Sequence, residues 1–134
     1  MNVKPCASNP RQLYDCRILF HYTRRLVIYN LDGSIDSSFL IPYDKKTTDI
    51  SICQLDDGRL AIATHYHLYI YSLKGNMDVD IQHTHSKPYV KKLTRDKVAY
   101  NGPGHTVVII NIPHHIPLYT VRADRLCDVT VRFD

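Results

Sequence analysis

The residues of this chain that could do chemistry are its histidines, its cysteines and one run of lysines. His65 and His67 flank Tyr66, and His83 and His85 flank Thr84. Residues two apart in an extended segment share a face, so each pair could offer two imidazoles to one ion. No third ligand accompanies either pair, and histidine is ordinary at strand connections, so no bound metal is expected. A nucleophilic cysteine needs a histidine held beside it. Neither Cys16 nor Cys53 sits in such a signature, and each adjoins an apolar run, as a buried structural thiol would. There is no glycine-rich phosphate loop, and Asn101-Gly102-Pro103-Gly104 reads as a turn with no helix after it to complete an anion site. The expectation is a protein with no catalysis of its own and no cofactor.

Lys87, Lys91, Lys92, Arg95 and Lys97 could follow the phosphates of a nucleic acid, with Tyr89 or Tyr100 stacking on a base. The plainer reading is a solvated strand. The net charge of +4 is mild and otherwise spread along the chain, a weak lean toward acidic partners.

What positions these residues is a repeat. Gln12 to Asp36 is restated without a gap forty-two residues later at Gln54 to Asp78. Ten positions coincide: Gln12/Gln54, Leu13/Leu55, Asp15/Asp57, Arg17/Arg59, Leu26/Leu68, Ile28/Ile70, Tyr29/Tyr71, Leu31/Leu73, Gly33/Gly75 and Asp36/Asp78. A looser third copy runs from about Val90 to Val121, with Val107 to Ile112 replaying Leu68 to Leu73. A period near forty marks a repeat architecture.

Each copy reads as four short strands. In the second, Ile50 to Leu55 is followed by a turn at Asp56-Asp57-Gly58, then Arg59 to Ala63, Leu68 to Leu73, a turn at Lys74-Gly75, and Met77 to Gln82. The third strand is apolar on both faces, so both must be covered. The fourth alternates Met77, Val79 and Ile81 with Asp78, Asp80 and Gln82, the pattern of one wet face. Ala61 and Ala63 mark a face that a neighbouring sheet can approach closely. Pro113 and Pro117 bracket the fourth strand of the third copy, where an edge tolerates proline. No segment carries a sustained helical stripe.

The expected fold is therefore all-β: about three four-stranded antiparallel blade-like repeats, covering residues 12–48, 49–87 and 88–121. A final strand is expected at residues 126–133, behind a flexible N-terminal arm at residues 1–10. Such repeats resemble the WD40-like β-propeller family, in which the third strand ends in a Trp-Asp pair; here the matching positions hold Tyr29-Asn30, Tyr71-Ser72 and Ile110-Asn111. The resemblance implies a partial or assembled β-propeller and a protein–protein interaction scaffold. A ring normally needs about four to eight blades, so three imply pairing with a second copy or membership of a larger assembly. The alternatives are a basic nucleic-acid- or anion-binding β module, or a structural β-sandwich subunit.

The loops joining second to third strands would lie side by side on one rim. They supply the candidate partner-binding residues Tyr22, Arg24, Arg25, His65, Tyr66, His67 and His105. Cys6, Cys16, Cys53 and Cys127 form no CxxC pair and follow no apolar leader, which suggests reduced thiols and a cytoplasmic setting, the nucleus included. The longest apolar runs are far short of the roughly 20 residues of a membrane helix, and no membrane partner is expected.

Overall fold

Short β-branched and aromatic runs, each closed by a turn rich in Asp, Asn or Gly, fold into strands throughout. The computed structural model of the chain describes residues 10–22, 24–42, 50–83, 86–94, 97–102, 106–111 and 116–122. The first sheet contains β1 (Arg11–Gln12), β2 (Ile18–Tyr22), β3 (Arg25–Tyr29) and β4 (Ile35–Leu40). The second contains β5 (Ser51–Gln54), β6 (Leu60–Ala63), β7 (His67–Tyr71) and β8 (Met77–Gln82). The third contains β9 (Val90–Thr94), β10 (Lys97–Asn101), β11 (Thr106–Asn111) and β12 (Ile116–Arg122). Every sheet is an antiparallel meander with its strands in chain order. The expected all-β fold of three four-stranded repeats is what the chain adopts, as three sheets and not as two halves of one sheet pair. No helix occurs among the described residues. The expected arm and the expected final strand at residues 126–133 lie outside the described residues, apart from Pro10.

The sheets lean on one another face to face, and the two-sided apolarity of the third strands is the cause. Leu26 and Ile28 of the first sheet meet Leu60, Ile62, Tyr69 and Tyr71 of the second in one buried cluster. From the opposite face of the second sheet, Ala61, Ala63, Leu68 and Ile70 meet Val90, Val98, Tyr100, Val108 and Ile110 of the third. The second sheet is thus sandwiched, and its alanines mark the face that admits the third sheet. Ala99, Val107 and Ile109, on the far face of the third sheet, are also fully buried. Pro117 falls inside β12 and not beside it, on the edge strand of its sheet, where proline is tolerated; Pro113 lies outside the described residues.

The repeat extends to atomic detail. The pairing of third and fourth strands slips at Ile28/Tyr29, at Ile70/Tyr71 and at Ile109/Ile110, a bulge in the same place in all three sheets. In the β1–β2 turn, Leu13 N–H donates to Arg17 O at 2.8 Å, and in the β5–β6 turn Leu55 N–H donates to Arg59 O at 2.7 Å. Arg17 Nε donates to Asp15 Oδ2 at 2.7 Å and its Nη1 to Asp36 Oδ2 at 2.5 Å. Arg59 repeats this with Asp57 at 2.8 Å and Asp78 at 3.4 Å. The three charged matches between the copies are therefore one bracket, clamping the first turn of a sheet to its fourth strand. Its hydrogen bonds from Arg17 hold the Asp15 carboxyl below the usual carboxylate range.

One match is broken with a cost. Gly58 has φ +94°, and the residue forty-two positions earlier, Cys16, has φ 74°. A side chain in that region is strained by about 1–2 kcal/mol, partly offset by the greater freedom that glycine loses on folding. The substitution Cys16→Gly is expected to stabilise the protein by about 0.5–1 kcal/mol in urea unfolding followed by circular dichroism.

Candidate interaction surface

Antiparallel meanders put the second-to-third-strand loops of all sheets at one end, together with the connections between sheets. Two hydrogen bonds fix the first two loops in the same way. Ile41 N–H donates to Arg24 O at 2.7 Å, and His83 N–H donates to Tyr66 O at 2.7 Å. The second loop is braced further: Ser86 N–H donates to His65 O at 3.0 Å, and His65 Nδ1 lies 3.1 Å from Ser86 O. Thr64 Oγ1 accepts from His67 N–H at 3.1 Å. The loops are thus tied to the segments leaving the fourth strands, and Arg24, His65 and Tyr66 stand half-buried on this rim. His105 lies outside the described residues.

The other candidates leave the rim. Tyr22 shares strand parity with Ile18 and Phe20, and its ring runs along the outer face of the first sheet, hydroxyl 3.3 Å from that of Tyr29. Phe20 lies between, 6.1 Å from Tyr22 and edge-on to Tyr29 at 5.5 Å. Arg25 is on that same face, its Nη1 donating to Ser38 Oγ at 2.8 Å. His67, the repeat equivalent of Arg25, lies on the face where the second sheet meets the first. Its ring stacks on Tyr69 at 5.0 Å, and its Nδ1 is 2.7 Å from Asp80 Oδ1. Alternation along the strand was the signal that separates these residues from the rim: Tyr22 goes with Phe20, and Arg25 with Val27 and Tyr29.

The chemical readings of the histidines and cysteines meet a similar geometry. His65 and His67 turn to different partners, Ser86 and Asp80, and offer no common point to an ion. Among the described residues no group of three or more His, Cys, Asp or Glu could hold a metal. Burial pushes the Cys53 thiol up to about 11, the direction opposite to that of an activated nucleophile. Cys53 is therefore expected to alkylate with iodoacetamide at pH 8 roughly a hundredfold more slowly in the folded protein than in urea. Peptide mass mapping resolves that site from Cys16, which is exposed.

At the opposite end, Lys92 of the lysine cluster is spent on internal contacts. Lys92 Nζ donates to Asp56 Oδ1 and, at 3.0 Å, to the Tyr14 hydroxyl, and it lies 5.3 Å from the centre of the Tyr14 ring. These partners, Asp56 first, hold its ammonium well above the usual lysine range. Tyr14 in turn donates its N–H to Gln54 Oε1 at 2.8 Å and its hydroxyl to Gln54 O at 2.9 Å. Tyr14, Gln54, Asp56 and Lys92 join all three sheets beside their first strands. Lys91 is exposed, while Arg95 lies outside the described residues.

The first sheet also exposes apolar side chains beside its third-to-fourth-strand turn. Leu31 is 73% exposed and Ile35 60%, whereas Leu73, the repeat equivalent of Leu31, packs against the core between first and second sheets. Among the described residues no helix is long and apolar enough to cross a membrane.

No family model matches the chain, and no curated protein matches it. Among solved structures it is similar to a protein of unknown function from Bacteroides caccae, with a TM-score of 0.66 at 13% sequence identity. The alignment covers 92% of this chain and 49% of that one, so the chain spans about half the length of the structure it matches. At that identity the likeness is one of fold.

Proposed function

We propose that the chain is a non-catalytic protein–protein interaction scaffold, built from β-propeller-like repeats of the WD40-like kind and acting in the cytoplasm as one part of a larger assembly. The observation that carries this reading is the repeated bracing of the rim: the same bond ties Arg24 and Tyr66 to the chain leaving the first and second sheets. Loops held in this way present Arg, His and Tyr side chains at fixed spacing. Ordered anchors of these types lose little freedom when a partner docks. The exposed apolar edge of the first sheet supports membership of an assembly, because stacked repeats need their terminal faces capped. The partner is another protein or a second copy of the chain.

A photo-crosslinking amino acid placed at Tyr66 in the intact protein, expressed in cells, tests the reading. One dominant protein adduct is expected from Tyr66, with little from the same group placed at Asp78 at the other end. Equal adducts from both sites, or none from Tyr66 together with a strictly monomeric protein by light scattering, would overturn it.

A further inference from the structure

The contact between the first two sheets has a knob and a socket. Phe39 of β4 stacks on Tyr71, with ring centroids 5.3 Å apart and 22° between the planes. It lies so close to the β7–β8 turn that a Cβ on Gly75 would stand 2.8 Å from Phe39 Cβ. Two residues before it, Ser37 Oγ donates to Leu73 O at 2.8 Å. The receiving side is thus a tyrosine, a leucine and a turn glycine, and the entering side is a hydroxyl followed at two residues by an aromatic ring.

The repeat places the same receiving set on the outer face of the first sheet. Forty-two positions before Tyr71, Leu73 and Gly75 stand Tyr29, Leu31 and Gly33, and Gly33 shares the positive φ of Gly75. There the structure has an open hollow of about 260 Å³ lined by Ile18, Tyr29, Asn30, Leu31, Asp32 and Gly33. Its wall residue Leu31 is exposed, where Leu73 is packed.

We infer that this hollow is a socket for the outer strand of a further β sheet in another polypeptide, one carrying a Ser or Thr two residues before a Phe or Tyr. The choice of an aromatic knob follows from the receiving side. Between second and third sheets, Ile110 occupies the place of Tyr71, and the fourth strand of the second sheet presents Ile81, an aliphatic knob, at the register of Phe39. A Tyr-plus-Gly socket goes with a ring. A second copy of this chain does not supply one, since its Phe39 is already seated and the third sheet has Val121 at that register. The inference rests on the assembly reading for the existence of a further sheet, while the socket is testable without it.

The probe is the knob that this chain already contains: a peptide of residues 34–42, Ser-Ile-Asp-Ser-Ser-Phe-Leu-Ile-Pro, added at millimolar concentration to the isotope-labelled full chain. Saturable amide shifts are expected at Asn30, Leu31, Asp32 and Gly33. Replacing the peptide's Phe by Ala, or Leu31→Asp in the protein, is expected to weaken the response about tenfold, as loss of an anchor does. Leu31 is at the surface, so that variant keeps its fold, and the peptide variant needs no protein change at all. An absent response, shifts elsewhere, or equal binding of the Ala peptide would overturn the inference. Peptide shifts with no rim crosslinks and a strictly monomeric protein would sink the scaffold reading alone, and crosslinks without peptide shifts would sink the socket alone.

Discussion

Gly75→Ala is expected to destabilise the protein by about 2–4 kcal/mol, and Gly58→Ala by only about 0.5–1 kcal/mol. Both glycines have φ +94°, so both substitutions incur the strain of a side chain in the left-handed region. They differ in what the new methyl group meets. At Gly58 nothing lies within 4 Å, whereas at Gly75 it would approach Phe39 Cβ at 2.8 Å and Phe39 Cγ at 2.9 Å. Phe39 Cβ is fixed to the backbone of β4 and cannot swing aside. The first sheet has to retreat, which opens the Phe39–Tyr71 stack and the Ser37–Leu73 hydrogen bond together. Overpacking of this kind costs about 1–3 kcal/mol beyond the strain. Urea unfolding of the two variants measures the difference. In a Phe39→Gly background the excess cost at Gly75 is expected to vanish, because the atom that is struck is gone. Equal costs at the two glycines in the parent protein would show that the sheets do not meet at this turn.

Much of the repeated architecture was legible in the sequence, and the manner of its legibility is physical. Each pair matched between the copies has a local reason: Leu26/Leu68 and Ile28/Ile70 fill the same side of successive sheets, and Asp15, Arg17 and Asp36 rebuild the bracket of Asp57, Arg59 and Asp78. Alternation along a strand survives into the fold, so the two faces of β7 and the small residues of β6 could be assigned from their order alone. Contacts between sheets were not legible. Lys92 reads as one cation in a basic run, and only the packing brings Asp56 and Tyr14 to it. Cys16 gave no sign of its left-handed backbone except its alignment with Gly58, which was available and decisive. Tyr22 and Arg25 belong to loops by position but to the sheet face by parity, and parity has the stronger claim because a strand's pleat continues to its last residue.

Ile70→Ala is expected to cost about 2–5 kcal/mol, and Ile35→Ala less than about 0.5 kcal/mol. Both isoleucines lie in strands, but Ile70 is 0% exposed in the cluster shared with the third sheet, while Ile35 is 60% exposed on β4. The loss at Ile70 has two parts, the transfer of the removed carbons and the cavity they leave. The cavity cannot collapse easily, since Ala61 and Ala63 beside it are already small and fully covered. Ile28, the equivalent residue facing the second sheet, is also 0% exposed and is expected to lose a similar amount on truncation. The comparison among the three sites decides how the protein is held together. If the seams between sheets contributed little to stability, truncation at Ile70 and Ile28 would cost as little as at Ile35. Large and similar losses at Ile28 and Ile70, measured by denaturant unfolding, are the signature of sheets whose stability resides in the seams between them.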